Sequence, residues 1–216
     1  MNCFSVAALC AAAAGLGAVA GRLSTVSLIR RLRTQIGTLT RLAHQDRVSG
    51  VLNRAGIQDA YTGAQGRDRH LILVDLDAFK SANDRHGHPA GDRILAALGS
   101  RLADLASQFD GWAGRLGGDE FALLVPAATQ RTAETVAAAA TAPLVISDLP
   151  TGPLTVSGSA GLAFAPAGYP WTRALTDADI ALYQAKRCGV PVSYEHGMTY
   201  PRVPWPRRNA RDADGQ

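Results

Sequence analysis

Residues 70–77 read His-Leu-Ile-Leu-Val-Asp-Leu-Asp (HLILVDLD), a near-continuous apolar run that ends in two carboxylates. Hydrophobic residues at consecutive positions suit a strand covered on both faces, since a half-exposed strand would alternate. The run predicts a buried strand whose end carries acids. Asp75 and Asp77 lie two apart, so the period of a strand puts both side chains on one face. Residues 111–126 (GWAGRLGGDEFALLVP) place two apolar stretches around Gly117-Gly118, the pattern of a β-hairpin with glycines at its turn. Asp119 and Glu120 follow that turn. If the hairpin neighbours the strand, the two acidic sites meet at one edge of a sheet.

The other elements follow by periodicity. Gly50–Gly66 is loop and helix, with Asp46 a candidate N-cap or turn residue. Phe79–Arg85 predicts a short helix closed by Gly87. In 90–108, Ile94, Leu95, Leu98, Leu102 and Leu105 recur at the helical period. Thr129–Ala142 is Ala-rich helix, Pro143–Ile146 a possible strand, and Leu154–Phe164 β-like with Gly158 and Gly161 marking a bend or close approach. A helix starting at Thr176 or Asp177 runs to Arg187 and is stopped by Gly189 and Pro191. Val192–Tyr194 adds a short edge strand. The order strand, two helices, hairpin, helix, strand, helix suits an α+β sheet with helices on its faces.

The 216 residues carry a formal charge of +4, and its distribution excludes more than its total. Residues 22–47 hold six arginines against Asp46, and 196–216 hold four against Asp212 and Asp214. The stretch between them carries 12 basic and 15 acidic side chains. A nucleic-acid-binding domain would show the reverse, so no nucleic-acid partner is expected. A composition 47% hydrophobic excludes a fully disordered chain. Three cysteines without a CxxC or Cys/His cluster exclude a disulfide scaffold and a zinc site.

Residues 1–21 contain no charged side chain, and about 20 helical residues span roughly 30 Å, the thickness of a bilayer core. Three readings stand: a membrane anchor, a signal peptide hinted at by Ala18-Val19-Ala20, and a buried helix. The anchor reading uses the arginines that follow as cytoplasmic markers. It expects a single-pass protein in the cell membrane with its domain in the cytoplasm. Leu28, Leu32, Ile36, Leu39 and Leu42 mark one face of a helix within a 22–45 linker. It either packs on a domain or forms a short parallel coiled coil between two chains. The domain itself is read as 46–195. From His196 onward, apolar residues are too few to pack, and 196–216 is expected to be a disordered tail.

Carboxylates gathered at a sheet edge repel one another unless divalent cations lie between them. Mg²⁺, a hard ion that takes carboxylate, carbonyl and phosphate oxygens, is the expected cofactor. Two such ions per site suit in-line phosphoryl transfer. Gly117 and Gly118 let backbone approach a triphosphate. Taken singly, each feature has a plainer reading: solvated acids, an ordinary turn, a surface Lys80, loop histidines at 86 and 88. Their joint occurrence is the signal.

The run Gly117-Gly118-Asp119-Glu120-Phe121 resembles the signature of the GGDEF diguanylate cyclases. Four further blocks agree in order. They are Asp46 to Arg54 (DRVSGVLNR), Asp75 to Asp92 (DLDAFKSANDRHGHPAGD), Ser157–Gly161, and Ala178 to Lys186 (ADIALYQAK). The resemblance covers about residues 41–192. It implies a mostly antiparallel central sheet flanked by helices, preceded by an N-terminal helix. It implies that two GTP are condensed into cyclic di-GMP with loss of pyrophosphate, across a homodimer in which each domain holds one GTP. Asp75, the Leu76 carbonyl and Asp119 would hold Mg²⁺. Asp119, supported by Glu120, would deprotonate the attacking hydroxyl. Asn83 and Asp92, with His88 beside them, would meet the guanine. Phe79, Lys80, Gly117, Gly118 and Lys186 would meet the phosphates, and Arg115 is a candidate for transition-state charge. Val190-Pro191 stands where the family often has Arg-Asn, which leaves a catalytically inactive GTP-binding regulatory domain as the alternative. Gln108-Phe109-Asp110-Gly111 stands where many members carry an RxxD product site, so no feedback inhibition is expected there.

Overall fold

The computed structural model describes residues 29–31, 43–126, 128–150 and 152–200. The chain divides into two compact units, Met1–Ala43 and His44–Gln216. In the first, residues 29–31 are helical; the expected anchor at 1–21 and most of the linker helix lie outside the described residues. Among the described residues, no helix is long and apolar enough to cross a membrane.

The second unit is built on the HLILVDLD segment. It forms β1 (Arg69–Leu76), which is buried at every position. β1 lies at the centre of a five-stranded sheet ordered β2-β3-β1-β6-β7, where β2 is Trp112–Gly117, β3 Glu120–Pro126, β6 Gly158–Ala165 and β7 Val192–Ser193. All pairings are antiparallel except β6 with β7. A small second sheet pairs β4 (Leu144–Ile146) with β5 (Leu154–Val156). The expected single strand over 154–164 is therefore split at Ser157, which frees its two halves to join different sheets.

The alternation along β1 sorts the core into two halves. Ile72, Val74 and Leu76 pack with Ile94, Leu98 and Leu102 of α3 (His88–Ser107) and with Val136 and Ala137 of α4 (Gln130–Thr141). Leu71 and Leu73 pack with Ile57 and Tyr61 of α1 (Arg54–Gly63) and with Ala174, Ala178 and Leu182 of α5 (Trp171–Cys188). A short α2 (Phe79–His86) connects β1 to α3. Gly161 lets α5 lie directly on β6, because a Cβ there would collide with the helix backbone at Ala178 and Leu182.

Two boundaries differ from expectation. α5 begins at Trp171, well before the cap expected at Thr176 or Asp177. The Asp177 carboxylate instead accepts a hydrogen bond from the Tyr169 hydroxyl at 2.7 Å and is nearly buried. Trp171 meanwhile packs edge-on against Tyr61, which anchors the extra turn. The second difference concerns the tail. Residues 196–200 are mostly exposed but ordered by a turn closed by Met198 N to the Glu195 carbonyl and by the Tyr200 hydroxyl bonded to Asp179. Residues 201–216 lie outside the described ones.

Candidate active site

Antiparallel register brings the acids together. Asp75, the penultimate residue of β1, stands directly opposite Glu120 of β3 on one side and Ser159 of β6 on the other. The Leu76 amide meets the Asp119 carbonyl at 3.4 Å. Lys186 of α5 reaches over the sheet and places its Nζ 2.9 Å from Asp75 Oδ2. Asp77 has a different employment. Its carboxylate accepts from Ser159 Oγ at 3.0 Å and Ser157 Oγ at 3.3 Å, and its amide donates to the Ser157 carbonyl. Since Ser159 pairs with Asp75, both aspartates lie on one side of the sheet, but Asp77 fastens the β1–α2 turn. In that turn Ala78 holds a left-handed conformation at φ 55°, which a non-glycine residue adopts at a cost and which no sequence signal announced.

Gly118 and Asp119 form the hairpin turn itself, flanked by the Gly117–Glu120 pair and a register shift between Arg115 and Gly117. Gly118 is left-handed at φ 54°, and a Cβ at either glycine would meet open space. A ligand can therefore approach the backbone there. Glu120 lines a cavity of about 180 Å³ with Arg54, Asp179 and Tyr200. Partial burial there raises its carboxyl above the ordinary range; Asp75, Asp179 and Asp119 raise it further, and Lys186 opposes them.

Arg115 is committed elsewhere. Its Nε and Nη2 donate to the Gly118 carbonyl at 3.0 and 2.7 Å, while Nη1 pairs with Asp46 at 3.1 Å. Asp46 also accepts from the Ser49 amide and hydroxyl. Burial would raise the Asp46 carboxyl, but the Ser49 hydrogen bonds and Arg115 outweigh it and hold it below its ordinary value. Arg115 thus positions the glycine turn against the segment ahead of α1, where Asn53 rather than Asp46 caps the helix through Gly56 N.

The remaining candidates gather at the α2–α3 junction. The half-buried Asn83 carboxamide abuts Gly91 so closely that a Cβ there would collide with it. Asp92, the residue after Gly91, is exposed near the start of α3, as is His88. Phe79 packs its ring on the core, and Lys80 is exposed next to it. Asp179 and Tyr200 had no assigned role in the sequence reading.

The donor set fits a hard cation in part. Asp75, Asp119 and the Leu76 carbonyl offer oxygens from adjoining segments, and the Lys186 ammonium on Asp75 shows that this carboxylate attracts positive charge. Among the described residues no three acidic, histidine or cysteine side chains form a ready cage. Mg²⁺ binds in this incomplete way, through one or two carboxylates with substrate phosphates and water completing its shell.

Residues 43–190 match the model of the GGDEF diguanylate cyclase domain. The chain is 36% identical over 169 residues to the diguanylate cyclase TpbB of Pseudomonas aeruginosa, covering 73% of this chain and 38% of that protein. It is 34% identical to the diguanylate cyclase VdcA of Vibrio cholerae, over 74% of this chain and 49% of the relative. The chain thus spans less than half the length of these curated relatives. Among solved structures, the coiled coil and GGDEF domain of DgcB from Caulobacter crescentus, in complex with c-di-GMP, superposes with a TM-score of 0.66. The two are 25% identical, and the match covers 81% of this chain and 98% of that one. The shared fold, the five ordered sequence blocks and the family match lead to one conclusion: this chain belongs to the GGDEF family of diguanylate cyclases.

Proposed function

We propose that the domain condenses two GTP into cyclic di-GMP with release of two pyrophosphates. The observation that carries this is the meeting of Asp75, Asp119 and Glu120 at one end of the central strands, beside an open glycine turn and a lysine already seated on Asp75. In each of two steps, a 3′-oxygen of one GTP bonds to the α-phosphorus of the other and the bond to pyrophosphate breaks. When bound, Mg²⁺ supplies charge stabilisation to the phosphates and acidifies the attacking hydroxyl. Asp75, Asp119 and the Leu76 carbonyl would hold it. Asp119 takes the hydroxyl proton, supported by Glu120, whose raised proton affinity suits it to that part. Asn83 and Asp92 hydrogen-bond the guanine, and Lys80 and Lys186 neutralise the phosphates. Each domain holds one GTP, so two copies of the chain face each other. The leucine-bearing helix within 22–45 and a membrane anchor at 1–21 supply that proximity, with the domain in the cytoplasm.

A second reading, GTP binding without turnover, is favoured by the exposed Val190 just past the helix that carries Lys186. Incubation of the purified chain with GTP and Mg²⁺ separates the two. Cyclic di-GMP from the wild type and none from Asp119→Ala supports the cyclase; tight GTP binding without product supports the regulator. Added cyclic di-GMP leaves the initial rate unchanged by way of the 108–111 surface. A Cβ at Gly111 would collide with the Leu124 carbonyl, so the acidic residue of a product site has no room there.

A further inference from the structure

Residues 192–200 lie beyond the matched stretch 43–190, and both ends of this segment are tied to the domain. At the first end β7 runs parallel to β6, and the Tyr194 amide donates to the Leu162 carbonyl at 2.7 Å. Ser193 Oγ accepts from Gln130 Nε2 and donates to Glu134 Oε1 at 3.4 Å, so α4 holds this end as well. Tyr194 packs on the core half that contains Ala178 and Leu182 of α5. A turn closed by Met198 N on the Glu195 carbonyl then leads to Tyr200, whose hydroxyl donates to Asp179 Oδ2. Asp179 precedes the end of α5 at Cys188 by nine residues, about 13 Å back along the helix. The segment is therefore a strap that doubles back from the end of α5 to its middle.

The far end of the strap closes on a cavity that Glu120 shares. Tyr200 and Asp179 line its 180 Å³ or so together with Glu120, Leu116, Phe121 and Leu182. Asp75, Asp179 and Asp119 all act on Glu120, and Lys186, which opposes them, sits on Asp75. Asp179 and Lys186 are seven residues apart on α5, two turns, and so share one face of the helix. A carboxylate left unheld on that face competes with Asp75 for the ammonium. The phenol gives Asp179 a donor of its own. Burial and the Asp179 carboxylate push that phenol well above its ordinary range, so it stays a donor.

We propose that Tyr200 is a positioning residue for the reaction: by holding Asp179, it keeps Lys186 on Asp75 and keeps a mobile charge away from Glu120. This role in the reaction rests on the function proposed above; the clasp of the strap does not. Asn83, Asp92 and Lys80 do not line this cavity, so Tyr200 bears on turnover rather than on nucleotide affinity.

Two measurements on the full chain test this, with Tyr200→Phe, Asp179→Ala and the double variant, each checked for an unchanged circular dichroism spectrum. The first reads the strap without nucleotide, as chymotrypsin cleavage after Tyr194. Each single substitution releases the far end and speeds that cleavage several-fold. Cleavage at the wild-type rate in either variant overturns the clasp. The second is steady-state formation of cyclic di-GMP from GTP with Mg²⁺. Tyr200→Phe lowers kcat about 5–10-fold and leaves KM within about twofold, as loss of one hydrogen bond to a charged group requires. In the Asp179→Ala background the same substitution has no further effect, because no carboxylate remains to be held. An unchanged kcat, a loss carried by KM alone, or an equal loss in both backgrounds overturns the positioning role. A wild-type chain that makes no cyclic di-GMP sinks the functional reading and this role with it, while proteolysis still decides the clasp.

Discussion

At its N-terminal end β1 buries Arg69 and His70, at its other end Asp75, and all three are less than a tenth exposed. Asp75 meets carboxylates from a hairpin and a lysine from a distant helix, beside a cavity and an open turn. Arg69 meets only domain packing. One Nη donates to the Tyr61 carbonyl at 2.7 Å, the guanidinium lies 4.5 Å from the centre of the Tyr61 ring, and its other two nitrogens find no partner among the described residues. Buried charge alone therefore does not mark a site. What marks one is the convergence of several chain segments on a place that a ligand can reach.

The contrast is sharpest in substitution. Asp75→Asn keeps the shape of the strand end but removes the charge that a cation and Lys186 both use. Cyclic di-GMP formation falls by about 100-fold or more, given the several kcal/mol that metal coordination contributes to phosphoryl transfer. The thermal midpoint moves little. A variant that unfolds, or one that keeps full activity, breaks the comparison at its functional end.

At the other end the expectation inverts. Arg69→Met keeps most of the volume and removes a buried cation with no acidic partner, so stability is unchanged or rises. Arg69→Ala leaves a cavity under Tyr61 and costs about 2–4 kcal/mol. Both retain turnover per folded molecule. Denaturant midpoints for the pair decide the matter: a methionine variant as unstable as the alanine one means that the charge itself holds the core.

Much of this was legible in the sequence, for reasons tied to locality. The unbroken apolar run of β1, the periodic leucines of α3 and the glycine-centred hairpin are signals contained within one element. The acids at 75, 119 and 120 were legible as a group because the family blocks name them together. The misread features depend on partners far along the chain. The ion pair of Arg115 was not legible because Asp46, its partner, lies 69 residues away. Asp177 looked like a helix cap because the buried Trp171 that extends the helix signals its packing only through Tyr61. Tyr200 sits in a stretch too polar to form its own core, and packs because Asp179 and the cavity beside Glu120 receive it.

His70 offers the smallest effect and the finest test of the structural end. Its Nε2 lies 3.1 Å from Gln130 Oε1, and its ring packs 5.2 Å from that of Phe164. Burial lowers its pKa below the ordinary histidine value; the Gln130 hydrogen bond and Glu134 oppose this without cancelling it. The folded state thus binds the imidazole proton less readily than the unfolded state. His70 costs nothing above the unfolded value of about 6.5 and destabilises progressively as pH falls through that value toward the folded one, by about 1.4 kcal/mol per unit of depression. His70→Leu removes the titration and keeps an apolar side chain against Phe164. Its thermal midpoint falls less steeply than the wild type's between about pH 6.5 and 5, a window above the range where ordinary carboxylates titrate. Activity at neutral pH is unchanged, because the imidazole lies at the far end of β1 from Asp75. Parallel midpoint curves for the two proteins mean that the burial of His70 leaves its proton affinity as it is in the unfolded chain.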